Sequence, residues 1–282
     1  MVRRKWRVCR IKRCCVFCSG QVGWVFERMG PDRMAAKRDG ERHRMRKKNP
    51  AETVEFYSPQ LGFSVEPYIT ADDKQGIHHV ARYQWASMVI ADVKPRRVVD
   101  VACGAGYGSH MLATASPTSE VIGVDYDPRA VAHAKAHFQQ PNLSFREGSM
   151  VTWTGAGESL GECDLIISFD TIEHLLHREI ALQSIAENLT DDGALILSTP
   201  CGFSETRLNP DWEHHKIEFS HIDLFKFLSR FFGRVIQPQD EDFPHYAFWR
   251  DVVNKDKARY LNRMNPVICR DPIRSPPYQR KI

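Results

Sequence analysis

The chain has 282 residues, 42% of them hydrophobic and 26% charged. That length can bury the core of one α/β domain with extensions. No apolar run approaches the ~20 residues a membrane-spanning helix needs, which excludes a transmembrane reading. The net charge of +4 conceals an asymmetry: residues 1–50 carry sixteen Lys/Arg against four Asp/Glu, and residues 51–282 carry 23 against 31. The body is therefore mildly acidic, and only the first 50 residues form a basic arm. Such an arm suits nucleic acid, an anionic surface or a solvated tail. Without a groove-reading motif it is predicted to be a disordered extension, with nucleic-acid binding as the alternative. Cys15-x-x-Cys18 has metal-ligand spacing, with Cys9 and Cys14 close by, but no second pair follows at finger spacing. Arg3, Arg4 and Lys5 begin like a signal peptide, yet the apolar stretch Cys14–Phe17 is too short for one. Cys103, Cys163, Cys201 and Cys269, scattered through the body, point to a reducing cytoplasm.

In chain order, 51–70 reads as irregular structure, with Pro59, Gly62 and Pro67. Gln75–Ala91 reads as a helix, with Ile77, Val80, Ala81, Gln84 and Met88 along one side. From Arg97 strands and helices alternate. Val98–Ala102 is a strand, Tyr107–Thr114 a helix and Val121–Asp125 a second strand. Asp127 caps a helix that begins at Pro128 and runs through Phe138. Leu143–Arg146 and Cys163–Phe169 are the third and fourth strands, the latter apolar throughout as a doubly covered strand should be. The helix His177–Leu189 ends near Asp191-Asp192-Gly193, and Ala194–Ser198 is the fifth strand. Ser220 and Asp223 form a capping pair for a helix Ile222–Phe232. Arg234–Gln237 and Tyr246–Val253 are predicted as closing strands. The tail 254–282, with Pro266, Pro272, Pro276 and Pro277, reads as extended or disordered, so the domain is expected to occupy 51–253. The alternation predicts a doubly wound sheet with its ligand site at the carboxyl ends of the strands.

The most informative stretch is Val98-Val99-Asp100-Val101-Ala102-Cys103-Gly104-Ala105-Gly106-Tyr107-Gly108-Ser109. Gly104 and Gly106 remove side chains where a strand turns sharply into a helix, so that backbone can approach a ligand. A dinucleotide site has G-x-G-x-x-G and places pyrophosphate on the helix N-terminus. Here the spacing differs, and Asp100 inside the strand would repel a pyrophosphate while suiting the ammonium of a methionine moiety. Asp125 ends the next strand, where a carboxylate can accept bonds from both ribose hydroxyls. Asp127 already serves as the helix cap, which leaves Asp125 available. Tyr126 is placed to lie along an adenine, Ser149 to bond its amino group and Met150 to cover the ring.

Five pieces in order resemble the class I S-adenosylmethionine-dependent methyltransferases, in the branch of ubiquinone-biosynthesis O-methyltransferases and bacterial sugar or cell-surface methyltransferases. They are His78-His79-Val80-Ala81-Arg82-Tyr83, the Val99–Ser109 turn, Val121–Asp125, Phe169-Asp170-Thr171-Ile172-Glu173-His174-Leu175 and Leu195–Pro200. The resemblance implies a Rossmann-like, mostly parallel seven-stranded sheet with one antiparallel strand. It implies S-adenosylmethionine as cofactor, bound by Asp100, Gly104, Gly106 and Asp125. It also suggests Arg82 for the cofactor carboxylate. Ser149 departs from the pattern, which usually has Asp there.

Methyl transfer from a sulfonium needs only an aligned nucleophile and removal of its proton. Asp170, Glu173 and His174 lie at i, i+3 and i+4, so one helical turn would present all three on one face. Trp212–Phe219 should fold back over them and bring His215. This O,O,N,N set suits a divalent metal and resembles the metal site of small-RNA 2′-O-methyltransferases. The same histidines suit a general base, so His174, His215 and Asp170 are the catalytic candidates, Asp170 also lying near the methionine end of the cofactor. Trp212 and Trp249 read as core or lid packing. The expected reaction is methylation of a small-molecule or sugar acceptor at oxygen. RNA 2′-O-methylation, a non-catalytic binding module and an NAD-dependent dehydrogenase are the competing readings, the last opposed by the glycine spacing.

Overall fold

The computed structural model describes residues 74–210, 214–255 and 265–274. The readings for the basic arm and its cysteines, for 51–70, and for Trp212 lie outside the described residues. The chain runs α1 (Lys74–Val93), β1 (Arg97–Val101), α2 (Tyr107–Ala115), β2 (Glu120–Asp125), α3 (Pro128–His137), β3 (Leu143–Ser149), β4 (Thr154–Gly155), β5 (Glu158–Ser159) and β6 (Cys163–Phe169). A 3₁₀ turn (Ile172–His174) leads to α4 (Arg178–Asn188), β7 (Leu189–Ser198), β8 (Cys201–Phe203), β9 (Arg207–Leu208), β10 (Ile217–Ser220), α5 (His221–Leu228), β11 (Phe232–Ile236), α6 (Tyr246–Lys255) and β12 (Val267–Pro272).

The main sheet has nine strands in the order β11-β12-β7-β6-β1-β2-β3-β4-β5. The expected number was seven. The two extra strands are the two-residue hairpin β4–β5, which extends the β3 edge antiparallel. In the remaining seven, only β12 runs against its neighbours, pairing antiparallel with both β7 and β11. The central strands are apolar and β-branched, and Val98, Val99, Val121, Ile122, Ile166 and Ile167 are all fully buried. A strand covered on both faces by helices needs this composition.

Most predicted elements match to within a residue or two; the exceptions include β3, which runs three residues past the expected Arg146, and β7, which begins at Leu189 instead of Ala194. Tyr246–Val253, expected as a strand, lies within the helix α6. Its inward residues Phe248, Trp249, Val252 and Val253 recur at helical spacing. Trp249 packs edge-on against Trp85 of α1, and its indole N–H donates to Asn265 Oδ1 at 2.9 Å. The tail expected to be extended or disordered supplies β12, with Val267, Ile268 and Cys269 buried between β7 and β11, so the domain runs beyond residue 253. The α5 helix stops at Leu228, because Phe231 and Phe232 turn into the core and Phe232 pairs with Pro272. The Asp191-Asp192-Gly193 turn does exist, as a bulge within β7. There β6 advances from Cys163 to Leu165 while β7 advances from Leu189 to Ala194.

A second, three-stranded sheet, β8-β10-β9, lies beyond the carboxyl end of β7. No helix among the described residues is long and apolar enough to cross a membrane.

Ending the chain at Lys255 removes β12 and leaves the facing edges of β7 and β11 without a ladder partner. We expect this truncation to abolish cooperative unfolding and near-ultraviolet circular dichroism. A melting transition like that of the full chain would show that β12 is dispensable.

Candidate functional site

The site begins where β1 turns into α2. Ala102, Gly104 and Gly106 adopt positive φ of 57°, 54° and 89°. For Ala102 this is a rarely populated conformation of the kind that clusters at functional turns. The turn is stitched to β2: Cys103 N–H donates to Val124 O at 3.0 Å, and Gly104 N–H to Asp125 Oδ2 at 2.9 Å. Gly106 has a packing reason besides its φ, since a Cβ there would stand 2.5 Å from Ala134 Cβ and 2.9 Å from the Phe145 ring. Gly108 is explained by packing alone, because a Cβ would meet the Tyr83 ring at 2.2 Å.

Asp100 and Asp125 lie on the same face of the sheet. Asp100 pairs in register with Gly123, two residues before Asp125. Their surroundings differ. Asp100 is fully buried, and its carboxylate accepts from Tyr83 Oη at 3.0 Å and Ser109 Oγ at 2.6 Å. It was expected to face a ligand ammonium, but it ties α1 and α2 to β1 from within. Burial raises its pKa to about 7, against the opposing effect of the two hydroxyl donors and with help from the Asp125 charge. Asp125 sits at the rim. Its oxygens accept from Gly104 N–H and, at 2.9 Å, from Asp127 N–H. Burial raises its pKa as well, and these backbone donors oppose the shift. Asp127 accepts from Arg129 N–H at 2.8 Å, the cap expected of it. Tyr126 projects beside Asp125 and is 74% exposed. At the end of β3, Ser149 Oγ accepts from Val151 N–H at 3.2 Å. Met150 packs in the core cluster with Val124 and Trp153.

Arg82 and Asp170 form the second half of the site. The sequence placed Arg82 against a cofactor carboxylate. In the structure its guanidinium is fully buried and engages both oxygens of Asp170, donates to Ser198 Oγ at 2.7 Å, and lies 2.9 Å from His79 Nδ1. Asp170 has a φ of 52° and donates its N–H to Ser198 O at 2.9 Å. Burial opposes ionisation of Asp170, but the Arg82 charge and hydrogen bonds from His79 and Arg82 hold its carboxyl well below the usual range. By register Asp170 stands three residues beyond Ile167, the partner of Asp100, level with the glycine-rich turn.

Asp170, Glu173 and His174 therefore do not share a helical face. The positive φ turns Asp170 toward Arg82, and only Ile172–His174 form a short 3₁₀ turn. Glu173 and His174 instead meet His215, as one ligand atom from each of these three lies within 4.8 Å of the others. Lys216 N–H donates to Glu173 O at 2.7 Å and pins the returning segment to the turn. Glu173 is fully buried, accepts from Thr199 Oγ1 at 2.7 Å, and has its pKa pushed well up by burial and by the Asp170 charge. Tyr83, Ser109, Ser198 and Thr199 fall inside the matching pieces of the sequence, which assigned none of them a role of its own.

The family described as methyltransferase domain matches residues 92–243. The chain is 30% identical over 135 residues to a probable S-adenosylmethionine-dependent methyltransferase of Mycolicibacterium smegmatis, covering 47% of this chain and 50% of that protein. It is 28% identical over 139 residues to a ubiquinone biosynthesis O-methyltransferase of Cereibacter sphaeroides, covering 47% and 54%. The chain thus spans about half the length of the curated relatives it matches. A Nostoc punctiforme protein assigned to the O-methyltransferases shares the fold, with a TM-score of 0.50 at 14% identity over 73% of this chain and 59% of that one.

Two expectations follow from the buried charges. Removing one partner of a desolvated ion pair strands the other, so Arg82→Ala should cost ~3–5 kcal/mol of stability. A loss under ~1 kcal/mol in urea unfolding would place the pair in the weak, solvent-screened class. Asp100 has a folded pKa of about 7, above its unfolded value, so its contribution is fully present below about pH 4 and is lost as pH rises to about 7. Over that window the wild type should lose stability relative to Asp100→Asn, by up to ~1.4 kcal/mol per pH unit. Parallel stability curves would mean that Asp100 does not hold its proton in the folded state.

Proposed function

Since the chain belongs to the methyltransferase-domain family, we propose that it transfers the methyl group of S-adenosylmethionine to a small-molecule or sugar acceptor, at oxygen. One observation carries the cofactor half of this reading. Asp125 ends β2 with its carboxylate fixed by the N–H groups of Gly104 and Asp127, beside a turn whose glycines carry no side chain. A carboxylate oxygen has two lone pairs. Each oxygen of Asp125 can therefore hold its backbone donor and still accept a ribose hydroxyl. Exposed Tyr126 offers an aromatic face for adenine, and Ser149 lies at the end of the neighbouring strand β3. Gly104 lets the ligand approach the backbone, and Gly106 lets the turn close against Ala134 and Phe145.

The methionine end would extend along the carboxyl edge from β1 toward β6, where Asp170 stands. Arg82 acts here as a positioning residue, holding Asp170 in place instead of meeting the cofactor itself. The fully buried Asp100 supports the turn from beneath. The sulfonium methyl is already electrophilic, so no covalent enzyme intermediate is needed. The acceptor O–H gives up its proton, its oxygen forms the new C–O bond, and the C–S bond breaks with its electron pair returning to sulfur. The product is S-adenosylhomocysteine.

Asp170 is committed to Arg82, so assistance to proton loss falls to the His174–His215 pair. The relatives include an enzyme named for ubiquinone biosynthesis O-methylation. The described cysteines, Cys103, Cys163, Cys201 and Cys269, are free and buried, which supports a cytoplasmic setting.

Calorimetric titration tests the cofactor half. S-adenosylmethionine and S-adenosylhomocysteine should bind one per chain, and NAD should not. Asp125→Ala should weaken S-adenosylmethionine by more than about 100-fold, the loss expected for two hydrogen bonds to a charged group at ~1.5–3 kcal/mol each. Asp125→Asn, which can still accept from the Gly104 and Asp127 N–H groups, should lie between. Wild-type protein that bound neither adenosyl ligand would overturn the reading, and an unchanged affinity in Asp125→Ala would remove Asp125 from the ribose role.

A further inference from the structure

We propose that a cavity at the carboxyl edge of the main sheet, over β7, β12 and β11, binds an uncharged, mostly apolar small molecule about the size of one substituted ring. The cavity has a volume of about 250 Å³. In strand order it lies on the other side of β6 from the glycine-rich turn. Its position follows from register. Val267 opens β12 opposite Leu197, near the carboxyl end of β7, and Val235 stands one residue before the end of β11. Both line the cavity, as does Cys201, the first residue of β8. Ligands of doubly wound sheets gather at this edge, and the cofactor reading occupies only its β1, β2, β3 and β6 side.

The walls decide what fits. Leu224 and Leu228 of α5, with Val235 and Val267, are buried and form an apolar base. Phe225 and His221, both exposed, mark the opening. Among the described residues, no Asp, Glu, Lys or Arg lines the cavity. An ionised ligand would therefore give up its hydration without a counter-charge, which is costly. An apolar one gains by leaving water.

A few polar groups stand among the apolar ones, the usual composition of a small-molecule pocket. Burial, helped by the Glu173 charge, pushes the Cys201 thiol up to about 12, so it stays a neutral S–H. Its Sγ lies 3.4 Å from His221 Nδ1. Gly202 makes room for that imidazole, since a Cβ there would stand 2.8 Å from His221 Nε2. Gln237 and Asn265, also in the lining, are anchored by bonds of their own. Gln237 N–H donates to Asp240 Oδ2 at 2.7 Å, and Asn265 Oδ1 accepts from the Trp249 indole at 2.9 Å. The space is therefore formed before any ligand enters it.

Volume sets the size. A dry cavity of ~150 Å³ with apolar walls takes up benzene. By the same measure this one admits roughly ten non-hydrogen atoms. Indole and p-cresol meet that size and carry no charge. A sugar would bury more hydroxyls than these walls can satisfy. Cys201 lies two residues beyond Thr199, whose hydroxyl donates to Glu173 at 2.7 Å, so a molecule bound here sits beside the strand that opens the β8-β10-β9 sheet. The same chemistry describes an acceptor or an effector, and the experiment separates the two.

The test titrates the full-length protein, isotopically labelled at Leu and Val methyls, with indole and follows it by nuclear magnetic resonance. The Leu224, Leu228, Val235 and Val267 methyl signals should shift and saturate, with a dissociation constant on the order of 0.1–1 mM for a ligand of about ten atoms. Benzoate, similar in size but anionic, should bind at least about tenfold more weakly. Leu224→Phe fills the space, so it should abolish the indole shifts without lowering the melting temperature. Phe225→Ala, at the opening, should weaken indole about fivefold, the loss of ~40 Å² of apolar contact. Unmoved methyl signals in saturated indole, benzoate binding as tightly as indole, or a Leu224→Phe protein that melts lower or still binds would overturn the proposal. p-Cresol with S-adenosylmethionine then identifies the source. Its methyl ether among the products marks the occupant as the acceptor, and p-cresol that shifts the same methyls unmethylated marks an effector. The indole titration needs no cofactor, so failure of this cavity leaves the methyltransferase reading standing, and loss of adenosyl binding in the wild type leaves the cavity standing.

Discussion

The buried pair between Arg82 and Asp170 is the constraint on which the site depends. An ionised carboxylate and a guanidinium tolerate burial only when each satisfies the other. These two do so with Ser198 and His79 filling the remaining valences. The pair joins α1, which precedes the sheet in sequence, to the carboxyl end of β6 in its middle. One residue further along α1, Tyr83 reaches Asp100 in β1 and occupies the space that glycine leaves at position 108. Two adjacent side chains therefore clamp a helix over the turn where β1 becomes α2. That clamp also fixes the orientation of Asp170.

A consequence is a division of labour among acidic groups of similar sequence appearance. Asp100 is turned inward and held near neutrality by desolvation. Asp125 stands at the rim, held by backbone donors that include the N–H groups of Gly104 and Asp127. Asp170 is ionised by its partner. Glu173 is buried with one oxygen satisfied and one not. Four carboxylates within one edge of a sheet are thus kept from acting alike. Burial sets the cost of charge at each, and the identity of the nearest donor decides whether that cost is met. The three-stranded flap closes the arrangement by bringing His215 against the turn that carries Glu173.

The glycines repay the same scrutiny. Three of them at alternate positions look like one ligand-binding device. Only Gly104 and Gly106 have positive φ, and Gly106 is also required by the Ala134 and Phe145 contacts. Gly108 answers to Tyr83. A glycine pattern records close approach without saying whether the approaching group is ligand or protein.

Much of the architecture is legible in the sequence. Strands made of continuous Val/Ile runs, the Asp127-Pro128 start of α3 and the Ser220 cap of α5 are local signals, and local signals suffice for elements whose neighbours in space are neighbours in sequence. The Val267-Ile268-Cys269 run is not legible as a strand, because three apolar residues between prolines carry no signal until two strand edges need them. The helix at Tyr246 is not legible either, because its inward positions have meaning only opposite Trp85. The sequence by itself determined the strand–helix alternation, the glycine-rich turn and which carboxylates lie near it, since these follow from periodicity and spacing along one stretch of chain. Which carboxylate pairs with Arg82, which histidines meet Glu173 and which strand runs backwards were decided only by the tertiary structure. Such pairings join residues far apart in the chain, and their energy exists only once water has been removed from between them.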